Sequence, residues 1–323
     1  MDNILEISKL CMHFPVRGGV FGRRQGTLKA VDDVSLSIAP GETLGLVGES
    51  GCGKSTIGRC IVRLLDPTSG TIRLLGKDIT HRAQWRLRNL RSKVQMVFQD
   101  PAGSLNPRMT VRHIITEPLI IQGMGTRASR KRRVDALLEL VGLPSTAAEK
   151  FPHEFSGGQR QRISIARTLA LDPKFIVCDE PISALDVSIQ AQIINLLEKI
   201  QDEMNISYLF IAHDLGAVKH ISQRIGAMYL GSLVEIGESE ELYRNPLHPY
   251  TKALLSAIPI PDPQVMRKRA SLDLDGEIPS PLNVPTGCAF RTRCPKAMPV
   301  CAEVKPELQT VGTSQVACHL YAK

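Results

Sequence analysis

The sequence contains no apolar run of about eighteen or more residues, the length a helix needs to cross a bilayer. Its opening stretch, Met1-Asp2-Asn3-Ile4-Leu5-Glu6, lacks a basic segment followed by a long apolar one, so no secretory signal is read there. Aromatic residues are scarce: one Trp (Trp85), five Tyr and eight Phe. Basic residues are therefore not interleaved with the rings on which single-stranded nucleic acid stacks. Internal repeats, low-complexity tracts and long coiled-coil heptads are also missing. Together these absences point away from membrane-spanning, secreted and nucleic-acid-wrapping classes. They predict a cytosolic protein with reduced cysteines.

What is present is ordinary for a soluble globular protein: 43% hydrophobic and 22% charged residues across 323 positions. That length can bury a full α/β core and leave room for a small second unit. The net charge of +8 gathers in short clusters, at Arg17, Arg23 and Arg24, at Arg127 and Arg130 to Arg133, and at Arg267 to Arg269. Each reads as a solvated face. Cysteines divide unevenly. Cys11, Cys52, Cys60 and Cys178 are scattered, whereas the tail holds Cys288-x5-Cys294-x6-Cys301-x16-Cys318.

The strongest local signal is Gly48-Glu49-Ser50-Gly51-Cys52-Gly53-Lys54-Ser55-Thr56, which matches G-x-x-x-x-G-K-[ST]. Thr43 to Val47 before it reads as a short buried strand. Ile57, Cys60, Ile61 and Leu64 after it recur at helical spacing. The glycines let the backbone turn tightly and approach a ligand, and the loop amides with the helix N-terminus then face an anion. Lys54 is placed to reach the β- and γ-phosphates of a nucleotide, and the Ser55 hydroxyl to hold Mg²⁺. Downstream, Lys174 to Cys178 is an apolar strand running into Asp179-Glu180. Asp179 is expected to anchor Mg²⁺, and Glu180 to polarise the attacking water.

Strands are expected at Leu5 to Ile7, Val34 to Ile38, Thr71 to Leu75, Val94 to Phe98 and Tyr208 to Ile211. A hairpin is expected around Gly231-Ser232. Between about residues 104 and 170 the strand pattern gives way to helices, with Val134, Leu137, Leu138 and Val141 on one apolar face. This is read as an inserted helical subdomain. Strands alternating with helices predict a largely parallel sheet covered on both faces. A proline-rich stretch (Pro259, Pro261, Pro263, Pro279, Pro281, Pro285) predicts a tail in extended and turn conformations.

Ser156-Gly157-Gly158-Gln159 opens a further helix and supplies a second anion-binding end in the same chain. With this motif the sequence resembles, over essentially its whole length, the ATP-binding subunits of ABC transporters. The motifs occur in family order: the phosphate loop, Gln99, Ser156 to Gln159, Asp179-Glu180, Ser183-Ala184-Leu185-Asp186 and His213. Phe155 stands where most of the family has Leu, a hydrophobic exchange expected to leave function intact. The resemblance implies an α/β P-loop NTPase with a mixed sheet core, the helical insert and a small cysteine-containing C-terminal extension. It implies head-to-tail pairing, the phosphate loop of one subunit and the signature of the other enclosing each ATP. Glu180 is then the base, Gln99 bridges Mg²⁺ and the attacking water, and His213 meets the γ-phosphate. Asp186 closes the family's D-loop, and the resemblance counts it among the ATP-binding residues. Phe14 fits the aromatic that stacks on adenine, with Phe21 nearby and a plain core role as alternatives.

Phe155-Ser-Gly-Gly-Gln-Arg-Gln-Arg162, Phe98-Gln-Asp-Pro101 with Ser104-Leu-Asn-Pro107, and Pro246-Leu-His-Pro-Tyr250 look like oligopeptide/dipeptide importer ATPases. The insertion from Gly18 to Gly26 looks like the second of their paired subunits. This implies residues 1–250 as the nucleotide-binding domain and 251–323 as the importer extension. The implied partners are a second, homologous ATPase subunit in a heterodimer, two transmembrane permease subunits and an extracytoplasmic substrate-binding protein. The implied location is the cytoplasmic side of the inner membrane, as a peripheral subunit, with no nucleic acid. The cargo is di- or oligopeptide, with nickel or glutathione as related alternatives. Two rivals from other classes are a soluble ABC ATPase acting on nucleic acid and a regulatory iron–sulfur module with vestigial activity. Cys288, Cys294, Cys301 and Cys318 are candidates for a [4Fe–4S] cluster, which some resembling ATPases carry. The alternatives are Zn²⁺, disfavoured by the lack of C-x2-C pairs, and free structural thiols.

Overall fold

The structure is a computed structural model that describes residues 3–18, 23–257 and 277–322. Pro259, Pro261 and Pro263, the basic cluster Arg267 to Arg269 and Phe21 lie outside the described residues, as does part of the Gly18–Gly26 insertion. Contacts divide the chain into two compact units. The first comprises Met1–Ile4, Ile38–Thr43 and His81–Ala212; the second comprises Leu5–Ser37, Leu44–Thr80 and His213–Lys323.

In the first unit three parallel strands, Val94–Val97, Phe175–Asp179 and Ser207–Ile211, pair in that order. Every residue of the latter two strands is buried, as expected of parallel strands covered on both faces. The register sets Val97 opposite Cys178, and Asp179 opposite Ile211. The strand ends that carry Gln99 and Glu180 are thereby neighbours.

Helices Pro101–Ser104, Val111–Gln122, Arg127–Leu140 and Gly157–Leu169 pack in the same unit. Their boundaries follow local chemistry. Gly123, at φ 71°, ends one helix while the Met124 amide bonds back to the Leu119 carbonyl at 2.8 Å. Thr126 and Ser129 form a capping box that starts the next. Val134, Leu137, Leu138 and Val141 are all buried, the face their spacing predicts. Helix Val187–Met204 buries Ile193, Leu197 and Ile200, and Asn205 closes it in the left-handed conformation.

The second unit corrects the expectation of a largely parallel sheet. Strand Thr43–Val47 is parallel to Arg224–Tyr229. Beyond that, Ser232–Glu238, Ser314–Val316 and Gln309–Val311 add in antiparallel order. A separate antiparallel sheet has the order Arg23–Ile38, Leu5–Gly18, Ser69–Leu74, Lys77–Asp78. The tail is thus more than extended coil, because two of its strands join a sheet. Helix Lys54–Ile61 buries Ile57, Cys60 and Ile61, but Leu64 is 56% exposed and lies past its end. The chain leaves the helix at Arg63, whose φ of 56° aims its guanidinium at the Ile79 carbonyl and at Asp66. Helix Pro249–Ser256 starts at the His248 cap.

Candidate functional site

The phosphate loop belongs to the second unit, and its shape depends on two of its glycines. A Cβ on Gly48 would lie 2.3 Å from the Met228 carbonyl oxygen, and one on Gly53 would lie 2.1 Å from that of Ala30. Both residues also have positive φ, at 150° and 108°. Gly53 is the N-cap of helix Lys54–Ile61 and contributes no side chain to the cap, so the loop's own backbone faces any anion there. Lys54 is buried, and its ammonium donates to the carbonyls of Gly48 at 2.7 Å and Glu49 at 3.0 Å. It also lies 3.7 Å from the Cys52 sulfur. Burial raises the Cys52 thiol pKa against the opposing pull of Lys54, so Cys52 stays a neutral thiol in the loop wall. Gly51 and Ser50 are exposed, and Ser55 and Thr56 are half-buried at the start of the helix.

In the first unit Asp179 is buried at a strand end, and Glu180 follows it with φ 47°, a conformation rare for a residue with a Cβ. The Glu180 amide donates to the Ile211 carbonyl at 2.9 Å, which holds that bend. Gln99 Nε2 donates to Glu180 Oε2 at 2.7 Å, joining residues 81 positions apart. Ser183 ties the following turn by donating its Oγ to the Glu180 carbonyl at 3.1 Å. Asp186 is exposed and starts helix Val187–Met204 without a side-chain cap bond.

The signature residues form a complete capping box. The Gln159 amide donates to Ser156 Oγ at 3.4 Å, and Gln159 Oε1 accepts from the Ser156 amide at 3.0 Å. Phe155 is buried just before them. Gly158 is required by packing, because a Cβ there would meet Ile189 Cγ2 at 2.5 Å. His213, two residues past strand Ser207–Ile211, is exposed and precedes Asp214, which caps helix Leu215–Ile221 through Gly216 at 2.8 Å. Phe14 is half-buried on strand Leu5–Gly18.

Cys288, Cys294, Cys301 and Cys318 converge in the second unit. Each sulfur receives a backbone N–H: from Phe290, Lys296, Met298 and Leu320 respectively. The Cys288 thiol is pushed up to about 11, first by burial and then by the thiols of Cys301, Cys318 and Cys294, against the Phe290 amide. Amides aimed at sulfur favour the thiolate that ligates metal. Four thiolates around one Zn²⁺ would stand about 3.8 Å apart, given a Zn–S bond of about 2.3 Å. Among the described residues the trio of ligating atoms mutually within 4.8 Å is instead Cys11, His13 and Asp32. Asp32 there is already paired with Lys305 at 2.9 Å and Lys29 at 3.6 Å.

Sequence reading missed what surrounds Glu49. Its amide donates to Tyr250 Oη at 2.9 Å, and Arg293 Nη1 reaches both carboxylate oxygens at 3.0 Å. Tyr250 stood in a recognised motif without a role, and nothing near Arg293 in sequence signals its partner. A cavity of about 920 Å³ in the same unit is lined by Lys9, Lys29, Asp32, Cys288, Phe290 and Lys305, and by no residue of the phosphate loop itself.

Comparison with known proteins places these features in a family. Residues 31–183 match the family described as ABC transporter, and residues 234–301 match the C-terminal region of oligopeptide/dipeptide transporters. The oligopeptide transport ATP-binding protein AppF of Bacillus subtilis is 54% identical over 323 residues, covering 99% of this chain and 98% of that protein. OppF of Salmonella typhimurium is 54% identical over 318 residues, covering 98% of this chain and 95% of its own. An ATP-binding cassette solved as a dimer in a post-hydrolysis state with ADP and Pi superposes with TM-score 0.65 at 28% identity, covering 73% of this chain and 98% of its own. No helix among the described residues is long and apolar enough to cross a membrane. The chain is a member of the ABC transporter family and, within it, of the oligopeptide transport ATP-binding proteins.

Proposed function

We propose that this chain is the ATP-hydrolysing subunit that energises import of di- and oligopeptides by an ABC transporter, docked peripherally on the cytoplasmic side of the membrane. The observation that carries this reading is the Gln99–Glu180 hydrogen bond at the ends of adjacent parallel strands. Both side chains are at least partly open to water, Glu180 is held in a strained bend, and the chain matches oligopeptide transport ATP-binding proteins over nearly its full length. Glu180 would take the proton of the attacking water, and Gln99 would orient the Glu180 carboxylate and that water and be a candidate Mg²⁺ contact. Lys54 and the amides of Gly48 to Thr56 would bind the phosphates; by the family resemblance Ser55 would hold Mg²⁺, and Asp179 is a further candidate ligand. His213 contacts the γ-phosphate and Phe14 stacks on the base. Ser156 to Gln159, with Asp186, serve the ATP site of the other subunit.

The partners in this reading are a second, homologous ATPase subunit, two permeases and an extracytoplasmic binding protein. The four cysteines hold a [4Fe–4S] cluster in preference to Zn²⁺. Convergence of the four thiols, an N–H aimed at each sulfur and the absence of C-x2-C pairs in the sequence support this. Such a cluster ties four chain positions together and can carry an electron.

Glu180→Gln is expected to lower ATP turnover about 10²- to 10⁴-fold while leaving MgATP binding intact. Unchanged turnover would remove Glu180 as the base. Protein purified anaerobically is expected to be brown, with about four irons per chain. A colourless preparation with one zinc would replace the cluster with the metal ion.

A further inference from the structure

The phosphate loop is gripped by the C-terminal extension at its second residue. Glu49 gives its backbone N–H to Tyr250 Oη at 2.9 Å and its carboxylate to Arg293 Nη1 at 3.0 Å. Arg293 also lies 3.5 Å from Tyr229 Oη. The pair is poorly accessible, with side chains 8% and 21% exposed for Arg293 and Glu49, so solvent and salt screen it weakly.

Arg293 sits in the loop between Cys288 and Cys294. Turns from the Arg291 amide to the Cys288 carbonyl at 3.1 Å, and from the Arg293 amide to the Phe290 carbonyl at 3.0 Å, coil that loop. Phe290, 1% exposed, anchors it against Tyr229, Tyr250 and His248, with ring centroids 5.2, 5.5 and 5.6 Å away. The same loop therefore fixes both holders of Glu49: Arg293 directly, and Tyr250 through Phe290.

A carboxylate in a loop that receives a polyphosphate is an electrostatic liability, because like charges repel most where water is excluded. We propose that Arg293 is a positioning residue for nucleotide binding. It neutralises Glu49 and holds it aside, so that Lys54 and the loop amides alone face the phosphates, and the four-cysteine extension serves to hold Arg293 there. This rests on the reading of Gly48 to Thr56 as the ATP site.

The test is equilibrium binding of MgATP and of adenosine to the purified full chain. Arg293→Gln is expected to weaken MgATP about tenfold, a modest share of what a charge-assisted pair contributes, and to leave adenosine within about twofold. Glu49→Gln combined with Arg293→Gln is expected to return MgATP affinity to within about threefold of the parent, since no bare carboxylate remains. A wild-type affinity for Arg293→Gln, a double variant as weak as the single one, or an equal loss for adenosine would each overturn the proposal. Should Arg293→Gln not fold, Glu49→Gln alone decides. MgATP affinity equal to or tighter than the parent supports it, and a loss beyond about threefold overturns it. Lys54→Ala separates the two readings. If that variant binds MgATP normally, the loop is not the ATP site. If it fails to bind while Arg293→Gln binds normally, only the role of Arg293 falls.

Discussion

Two glycine-rich turns start helices in this chain, and their amides are in opposite conditions. At Gly53 the helix begins from a left-handed glycine that supplies no side-chain cap bond. At Ser156 the helix begins inside a full capping box, its amides satisfied by Ser156 and Gln159. The first is shaped by backbone crowding at Met228 and Ala30 and leaves its backbone to face any anion there. The second is self-satisfied within one chain, and an anion must displace a side-chain bond to use it. A long Gln159 N–H···Oγ contact of 3.4 Å is a weak one to displace. The difference fits a division of labour in which one loop binds ATP within the subunit and the other engages only when a partner presents it.

Lys54→Ala tests the stronger side of that contrast. It removes the only ammonium bonded into the loop among the described residues, and MgATP affinity is expected to fall at least about a hundredfold by titration, as for loss of charge-assisted contacts. An affinity within threefold of the parent would break the comparison at its first term. Ser156→Ala is expected to act more gently. The isolated chain should bind MgATP within about twofold, lose about 1 kcal/mol of stability from the cap, and show its defect in the ATPase rate of the assembled transporter. Weakened MgATP binding by the isolated chain would place the signature in the chain's own site.

Part of the candidate site, the pairing of Gln99 with Glu180, was legible because both residues sit where local patterns are strongest. The strands that end at Gln99 and at Asp179-Glu180 are short apolar runs followed abruptly by polar residues, and the structure leaves their registers adjacent. Leu64 shows how periodicity overruns. Its spacing continues the helix, but Arg63 turns the backbone to reach a carbonyl and a carboxylate, and the apolar side chain is left outside. The second, antiparallel sheet was not legible, because it pairs Leu5 with Leu74 across most of a subdomain's length. Nor was the grip on Glu49, whose partner lies 244 residues away and whose geometry depends on a buried ring, Phe290. Contacts of that range leave no periodic trace in the chain.

The last two strands have a consequence of their own. Strand Ser232–Glu238 carries buried Leu233 and Ile236, and unpaired it would offer a row of amides and carbonyls to any passing chain. Ser314–Val316 occupies that row, and the sheet then ends on Gln309–Val311, a strand of three residues with no buried side chain. So short and polar a border gives a neighbouring strand little to extend. The cysteine-bearing tail thus also acts as a hem, leaving a fold that works in assemblies without a template for unplanned ones.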